Sequence, residues 1–164
     1  MRLYRIGIAL LFSTLLFTSN SFAAPNQMHD TSRQLYDRVM TEFKHREYEA
    51  ALAGFRLFME LHSQSALAAN AQYWIGECQY RMRRYKDALN SFYDVVMNYP
   101  MSPKQAASTL KLGQTYTKLG DHDNARVMFD RVVDQYPASP EAELARKAIE
   151  LAVGRYEQDY AQSD

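Results

Sequence analysis

The stretch "YWIGECQYR", Tyr73 to Arg81, gathers several kinds of reactive group in nine residues: a carboxylate, a guanidinium, the chain's one thiol and two phenols. Glycosidase chemistry would need two carboxylates facing each other across a cleft, one of them able to give up a proton. Glu77 instead stands four residues before Arg81, the order and spacing of an ion pair on a helix surface, and no second acid occupies an equivalent position. The four histidines, His29, His45, His62 and His122, are scattered without metal-ligand spacing, and no nucleophile motif is present. Cys78 is the single cysteine and falls at a small-residue core position, which suits an inert buried thiol. These absences argue against an enzyme and against a cofactor. A peptidoglycan-active enzyme is kept as the remote alternative. What remains is a set of rings, Tyr36, Phe43, Tyr73 and Tyr80, of the kind that anchors partner polypeptides.

The elements that position these rings are written three times. "NYPMSP" and "QYPASP" place Pro100 and Pro137, then Pro103 and Pro140, 37 residues apart. Ala51, Ala88 and Ala125 keep the same offset, as do Phe55, Phe92 and Phe129. Such a period marks a repeat array. Ala88, Phe92, Val95 and Tyr99 are spaced as the apolar stripe of one helix, and Ala71, Ile75, Cys78 and Met82 as that of a helix before it. Pro103 is expected to open its helix, with Ser102 as the cap, and Gly120 to close one in a left-handed conformation. Gly76 and Gly113 recur inside helices, where glycine costs about 1 kcal/mol against alanine. They are expected to lie against Ala88 and Ala125, with Phe92 and Phe129 beside the contact. No segment alternates like a strand. The first copy has Gln34, Arg38, Thr41 and His45 on the face that would pack on a preceding unit, and the stripe returns once more as Ala145, Ile149, Ala152 and Tyr156. The expected fold is all-α: three helix–turn–helix repeats in a superhelix, plus a C-terminal capping helix.

Arg2 and Arg5, the apolar run from Ile6 to Phe17 and "SFA" have the layout of a secretory signal cleaved after Ala23. The run is too short to span a bilayer, so no membrane span is expected after cleavage. Removing Arg2 and Arg5 from 19 basic side chains leaves 17 against 19 acidic ones, a net charge of −2. That balance makes nucleic acid and anionic lipid poor partners. The organisation expected is a signal peptide over 1–23, a short linker over 24–30, the repeat domain over 31–157 and a polar tail over 158–164. An exported chain with one cysteine has no internal disulfide, so packing alone must hold it.

These units resemble the tetratricopeptide repeat. The small, Gly/Ala, aromatic and Pro positions of that repeat are matched by "YWIGE" with "YKDALNSF" and "NYP", and by "LKLGQTYTKLGD" with "NARVMF" and "QYP". The longer period and "YPxSP" followed by "NAQYWIGE" are similar to the C-terminal domain of the YbgF/CpoB proteins of the Tol–Pal envelope system. The first copy departs from the pattern, with Ser63 at the proline position and Val39 at the glycine position. Family members carry an N-terminal coiled coil that makes trimers; only Ala24 to Asp30 precede the first helix here, so trimerisation is not carried over. The resemblance implies a periplasmic adaptor that coordinates outer-membrane constriction with septal peptidoglycan synthesis in cell division. Its implied partners are TolA and septal peptidoglycan synthesis proteins. An outer-membrane assembly or secretion scaffold is the alternative.

In stacked helix pairs the first helix of each pair lines the concave side. The expected groove is Tyr36, Met40 and Phe43; Tyr73, Glu77, Tyr80 and Arg81; and Leu110, Gln114 and Thr117. Two readings of the rings stand at this point: exposed in a groove, or packed between neighbouring repeats. Trp74 neighbours this face and is expected to pack, with its indole N–H reaching a carbonyl or water.

Overall fold

Each stretch with a 4-3-4 apolar stripe is a helix in the computed structural model, which describes the backbone of residues 25–161 and the side chains of residues 31–152. Among the described residues seven helices follow in order: α1 (Pro25–Lys44), α2 (Tyr48–His62), α3 (Ala68–Arg81), α4 (Tyr85–Asn98), α5 (Gln105–Leu119), α6 (His122–Gln135) and α7 (Pro140–Ala161). No strand occurs among the described residues. Each helix packs on the next, and α7 also meets α5, so the stack closes with a lid. Residues 25–30, expected as linker, belong to α1, and α7 takes in the first part of the expected polar tail. The expected signal peptide lies outside the described residues.

The core is a row of three clusters, each spanning a repeat boundary, as in a quasi-one-dimensional stack. Phe55 and Phe58 of α2 meet Ile75 and Cys78 of α3. Phe92 and Val95 of α4 meet Leu112 of α5, and Phe129 and Val132 of α6 meet Ala142 and Ala145 of α7. On α1, Gln34, Arg38, Thr41 and His45 are exposed, as their polar character predicts.

The turns inside the pairs share a feature that only Gly120 announces in the sequence. Arg46, Arg83 and Gly120 occupy the same register position, and all three have positive φ: 65°, 61° and 79°. A left-handed residue ends each first helix and sends the chain straight into the second. Two copies do this with arginine, against the usual steric preference of L-residues.

The connection after α4 differs from expectation. α5 starts at Gln105, two residues beyond Pro103, and Ser102 Oγ accepts from Lys104 N at 3.0 Å to close the turn ahead of the helix. The Gln105 amide then donates to the carbonyls of Val95, Val96 and Tyr99 at 3.2, 3.2 and 2.7 Å. These acceptors lie at the end of α4, where a helix leaves its last carbonyls unpaired.

The helix glycines also have a different partner from the one expected. A Cβ at Gly76 would sit 2.6 Å from Phe92 Cε1, and one at Gly113 would sit 2.5 Å from Phe129 Cε1. The aromatic ring itself, and not Ala88 or Ala125, presses on the glycine backbone. In the first repeat the arrangement is inverted. Val39 holds the glycine position and is buried, while Gly54 on α2 supplies the space: a Cβ there would sit 2.5 Å from Val39 Cγ2.

Candidate functional site

The solenoid brings the inner faces of α1, α3, α5 and α7 together, but most of the expected groove residues are consumed by packing. Tyr36 lies edge-on to Phe55 and Phe58, and its phenol accepts a hydrogen bond from Trp74 Nε1 at 2.8 Å. The indole therefore finds a neighbouring phenol instead of a carbonyl or water. Met40 and Phe43 pack on the first cluster, Phe43 against Tyr48 and Trp74. Tyr73 is 8% exposed, with its ring against Trp74 and Phe92. Burial pushes its phenol well above the ordinary tyrosine range, and the Glu77 and Glu141 carboxylates add to the shift. Leu110 is 5% exposed and belongs to the third cluster. Tyr73 and Leu110 are thus buried, whereas Tyr36, Met40 and Phe43 are half-buried and pack on their neighbours. Helical periodicity identifies the inner face but not how closely the next repeat covers it.

Glu77 is likewise buried and not on an open face. It is 3% exposed, and its nearest cation is Lys111 of the following repeat, with Nζ 2.5 Å from Oε1; Arg81 Nε is 3.8 Å from Oε2. The Lys111 ammonium compensates the burial of Oε1. The expected i,i+4 pair with Arg81 is present at the longer distance, and the shorter contact is an inter-repeat tie to Lys111. Arg81 itself remains half exposed.

Lys111 is one of three lysines, Lys104, Lys111 and Lys118, spaced by seven on α5 and the residue before it. Lys104 Nζ lies 4.8 Å from the centre of the Tyr73 ring, and Lys111 Nζ 4.9 Å from that of Tyr80. Ammonium groups at this distance are attracted by the ring face. The sequence reading missed them, although their seven-residue spacing on an inner face was a visible signal.

Three expected groove residues do come together. Tyr80, Gln114 and Thr117 line a cavity of about 480 Å³, of a size that holds small ligands or a side chain. Ala125 and Phe129 of α6 and Ala148 and Ile149 of α7 make its apolar walls. Lys118, His122, Asp123 and Arg126 stand at its edge. Arg126 is engaged by Asp130 at 2.9 Å, while Lys118 is exposed and has no ion pair among the described residues.

The thiol of Cys78 is buried and its pKa is pushed up to about 12, chiefly by desolvation and then by Glu77. Among the described residues no three His, Cys, Asp or Glu side chains are grouped to hold a metal ion, and no helix is long and apolar enough to cross a membrane.

Tetratricopeptide repeat family models match residues 36–103 and 107–139. No curated protein matches the chain in sequence. Among solved structures, the Yersinia enterocolitica type III secretion chaperone SycD, in complex with a peptide of the translocator YopD, superposes with a TM-score of 0.65 at 17% identity, covering 80% of this chain and 95% of that one. The Arabidopsis OM64 TPR domain gives 0.64 at 13% identity, covering 76% of this chain and 98% of that one. A T3SS complex from Aeromonas hydrophila gives 0.64 at 23% identity, covering 79% and 84%. Identities this low establish the shared fold.

Proposed function

Since the chain is a tetratricopeptide repeat protein, a fold that serves as a protein-interaction scaffold, we propose that it is an exported periplasmic adaptor of the Tol–Pal envelope system. In this reading it docks a segment of TolA on its inner face and helps couple outer-membrane constriction to septal peptidoglycan synthesis. The observation that carries the docking is the half-open cavity bordered by Tyr80, Gln114 and Thr117, where inner-face side chains remain available after the core has formed. The export and the Tol–Pal assignment are supported by the leader-like N-terminus and by the YbgF/CpoB-like "YPxSP" units. In this reading the role is binding: Glu77 is held by Lys111, and the carboxylate that lines the cavity, Asp123, stands at its exposed edge.

The second reading is a secretion or outer-membrane assembly scaffold. It is favoured by the peptide complexes among the structural neighbours, SycD with a YopD peptide and PcrH with the chaperone binding region of PopD. Calorimetry with the purified chain and the periplasmic part of TolA separates the two. Saturable heat supports the Tol–Pal reading. No heat with TolA, together with capture of translocator or assembly components by crosslinking in intact envelopes, replaces it with the second. A clearing band on a peptidoglycan zymogram would overturn both by showing catalysis.

A further inference from the structure

The cavity lies where the two earlier repeats are full. In the first repeat the corresponding niche holds Phe43 and Tyr48, rings 5.4 Å apart at 63°, with Trp74 4.7 Å from Phe43. In the second it holds Tyr80 and Tyr85, again 5.4 Å apart and at 66°, with the Lys111 ammonium over Tyr80. Shifted by one more repeat, those ring positions become Thr117 and His122, and the Trp74 position becomes Ala148. Thr117 turns its hydroxyl onto the Gly113 carbonyl at 3.0 Å, and His122 is exposed. The walls have not closed in to compensate, because Phe129 and Ala125 are held by the Gly113 contact and the third core cluster. The void stands where the earlier repeats place an aromatic pair, and none of the described residues supplies one here.

We infer that this third-repeat niche is the receptor for an aromatic side chain of a partner segment whose flanking residues are acidic. The inference rests on the reading of the chain as a binding scaffold and specifies what it recognises. The ring preference follows from the two filled copies of the same niche. The acidic flank follows from the rim, where Lys118 has no ion pair among the described residues, Arg126 is half exposed beside Asp130, and Asp123 is the one carboxylate among the described lining residues. Burying a ring there removes apolar wall from water, and the cations at the edge set which neighbours the ring can have.

The test uses three synthetic peptides on the full mature chain: acetyl-Asp-Glu-Phe-Glu-Asp-amide, the same peptide with Ala for Phe, and acetyl-Lys-Lys-Phe-Lys-Lys-amide. Fluorescence anisotropy and amide chemical shifts are the readouts. The acidic Phe peptide is expected to bind at least about tenfold tighter than either control, the size of effect that one anchoring residue carries. Its shifts are expected at Thr117, His122, Ala125 and Ile149. Thr117→Tyr with His122→Tyr rebuilds the second repeat's ring pair, and should abolish binding while leaving the melting temperature equal or higher. Ala148→Trp fills the niche from the other side and should do the same, so the result does not depend on one variant folding. Lys118→Glu should weaken the acidic peptide and favour the basic one.

Peptide binding that survives both filled variants, or shifts confined to another surface, overturns the inference. If TolA or another captured partner still binds both filled variants, the scaffold reading stands and the niche assignment falls. If self-association is seen and the filled variants abolish it, the occupant is a second copy. If cross-relaxation in the free protein links residues beyond 152 to Phe129, the occupant is the chain's own end. Either result overturns a partner-supplied ring.

Discussion

Gly76→Ala tests the contact that sets the spacing of α3 and α4. The new Cβ would lie 2.6, 2.8 and 3.0 Å from Cε1, Cδ1 and Cζ of Phe92, so the ring must retreat by most of an ångström to reach ordinary contact. It has nowhere easy to go, since Phe92 is fully buried among Tyr73, Ala88, Val95 and Leu112. Overpacking of this kind costs about 1–3 kcal/mol, and the upper half of that range suits a ring hemmed in on all sides. Alanine returns about 1 kcal/mol through helix propensity. The net expectation is a loss of about 1–2 kcal/mol, read from urea denaturation followed by far-UV circular dichroism. The decisive measurement is the same substitution in a Phe92→Leu background. With the ring edge gone, alanine should be neutral or stabilising by up to about 1 kcal/mol, so the sign of the effect reverses through a coupling of about 2 kcal/mol. Equal destabilisation in both backgrounds would refute the ring-on-glycine argument. Gly113→Ala with Phe129→Leu repeats the test independently, because the same contact recurs there at 2.5 Å.

Arg83→Gly relieves a left-handed arginine at φ 61° and should stabilise the chain by about 0.5–1 kcal/mol after the added freedom of the unfolded chain is counted, visible as a melting point higher by a few degrees. Lys111→Met leaves the buried Glu77 with only the longer Arg81 contact and should cost about 2–3 kcal/mol in urea denaturation; Glu77→Gln in addition should recover most of it. Asp121 caps α6, accepting from Asn124 N at 3.1 Å and Nδ2 at 2.7 Å, and these bonds hold its carboxyl below the usual range. A carboxyl lowered in the folded state stabilises above its unfolded pKa, and that contribution is lost as pH falls through the folded value. Asp121→Asn should therefore flatten the fall in melting temperature between about pH 5 and pH 2.

Some of this was legible without coordinates because helical packing is local arithmetic. A 4-3-4 stripe repeated at a 37-residue offset can only be satisfied by stacked amphipathic helices, so the all-α repeat, its polar first face, its closing helix and the burial of Cys78 follow from Ala71, Ile75, Cys78 and their copies. Gly120 was readable because one residue type favours one backbone region. Arg46 and Arg83, in the same conformation, were not readable, because arginine carries no such preference and the turn imposes it.

What only the tertiary structure decided is everything that depends on how far one repeat closes over the next. Periodicity places Tyr36, Tyr73 and Glu77 on the inner face; the approach of neighbouring side chains buries Tyr73 and Glu77 and half-buries Tyr36. Val39 and Gly54 exchange large and small across a helix pair, a compensation invisible at either position alone. The third-repeat cavity is likewise a difference between volumes contributed by three helices. A sequence specifies which side chains are present, whereas an unfilled space depends on neighbours that fail to meet, and that is fixed only when the helices have packed.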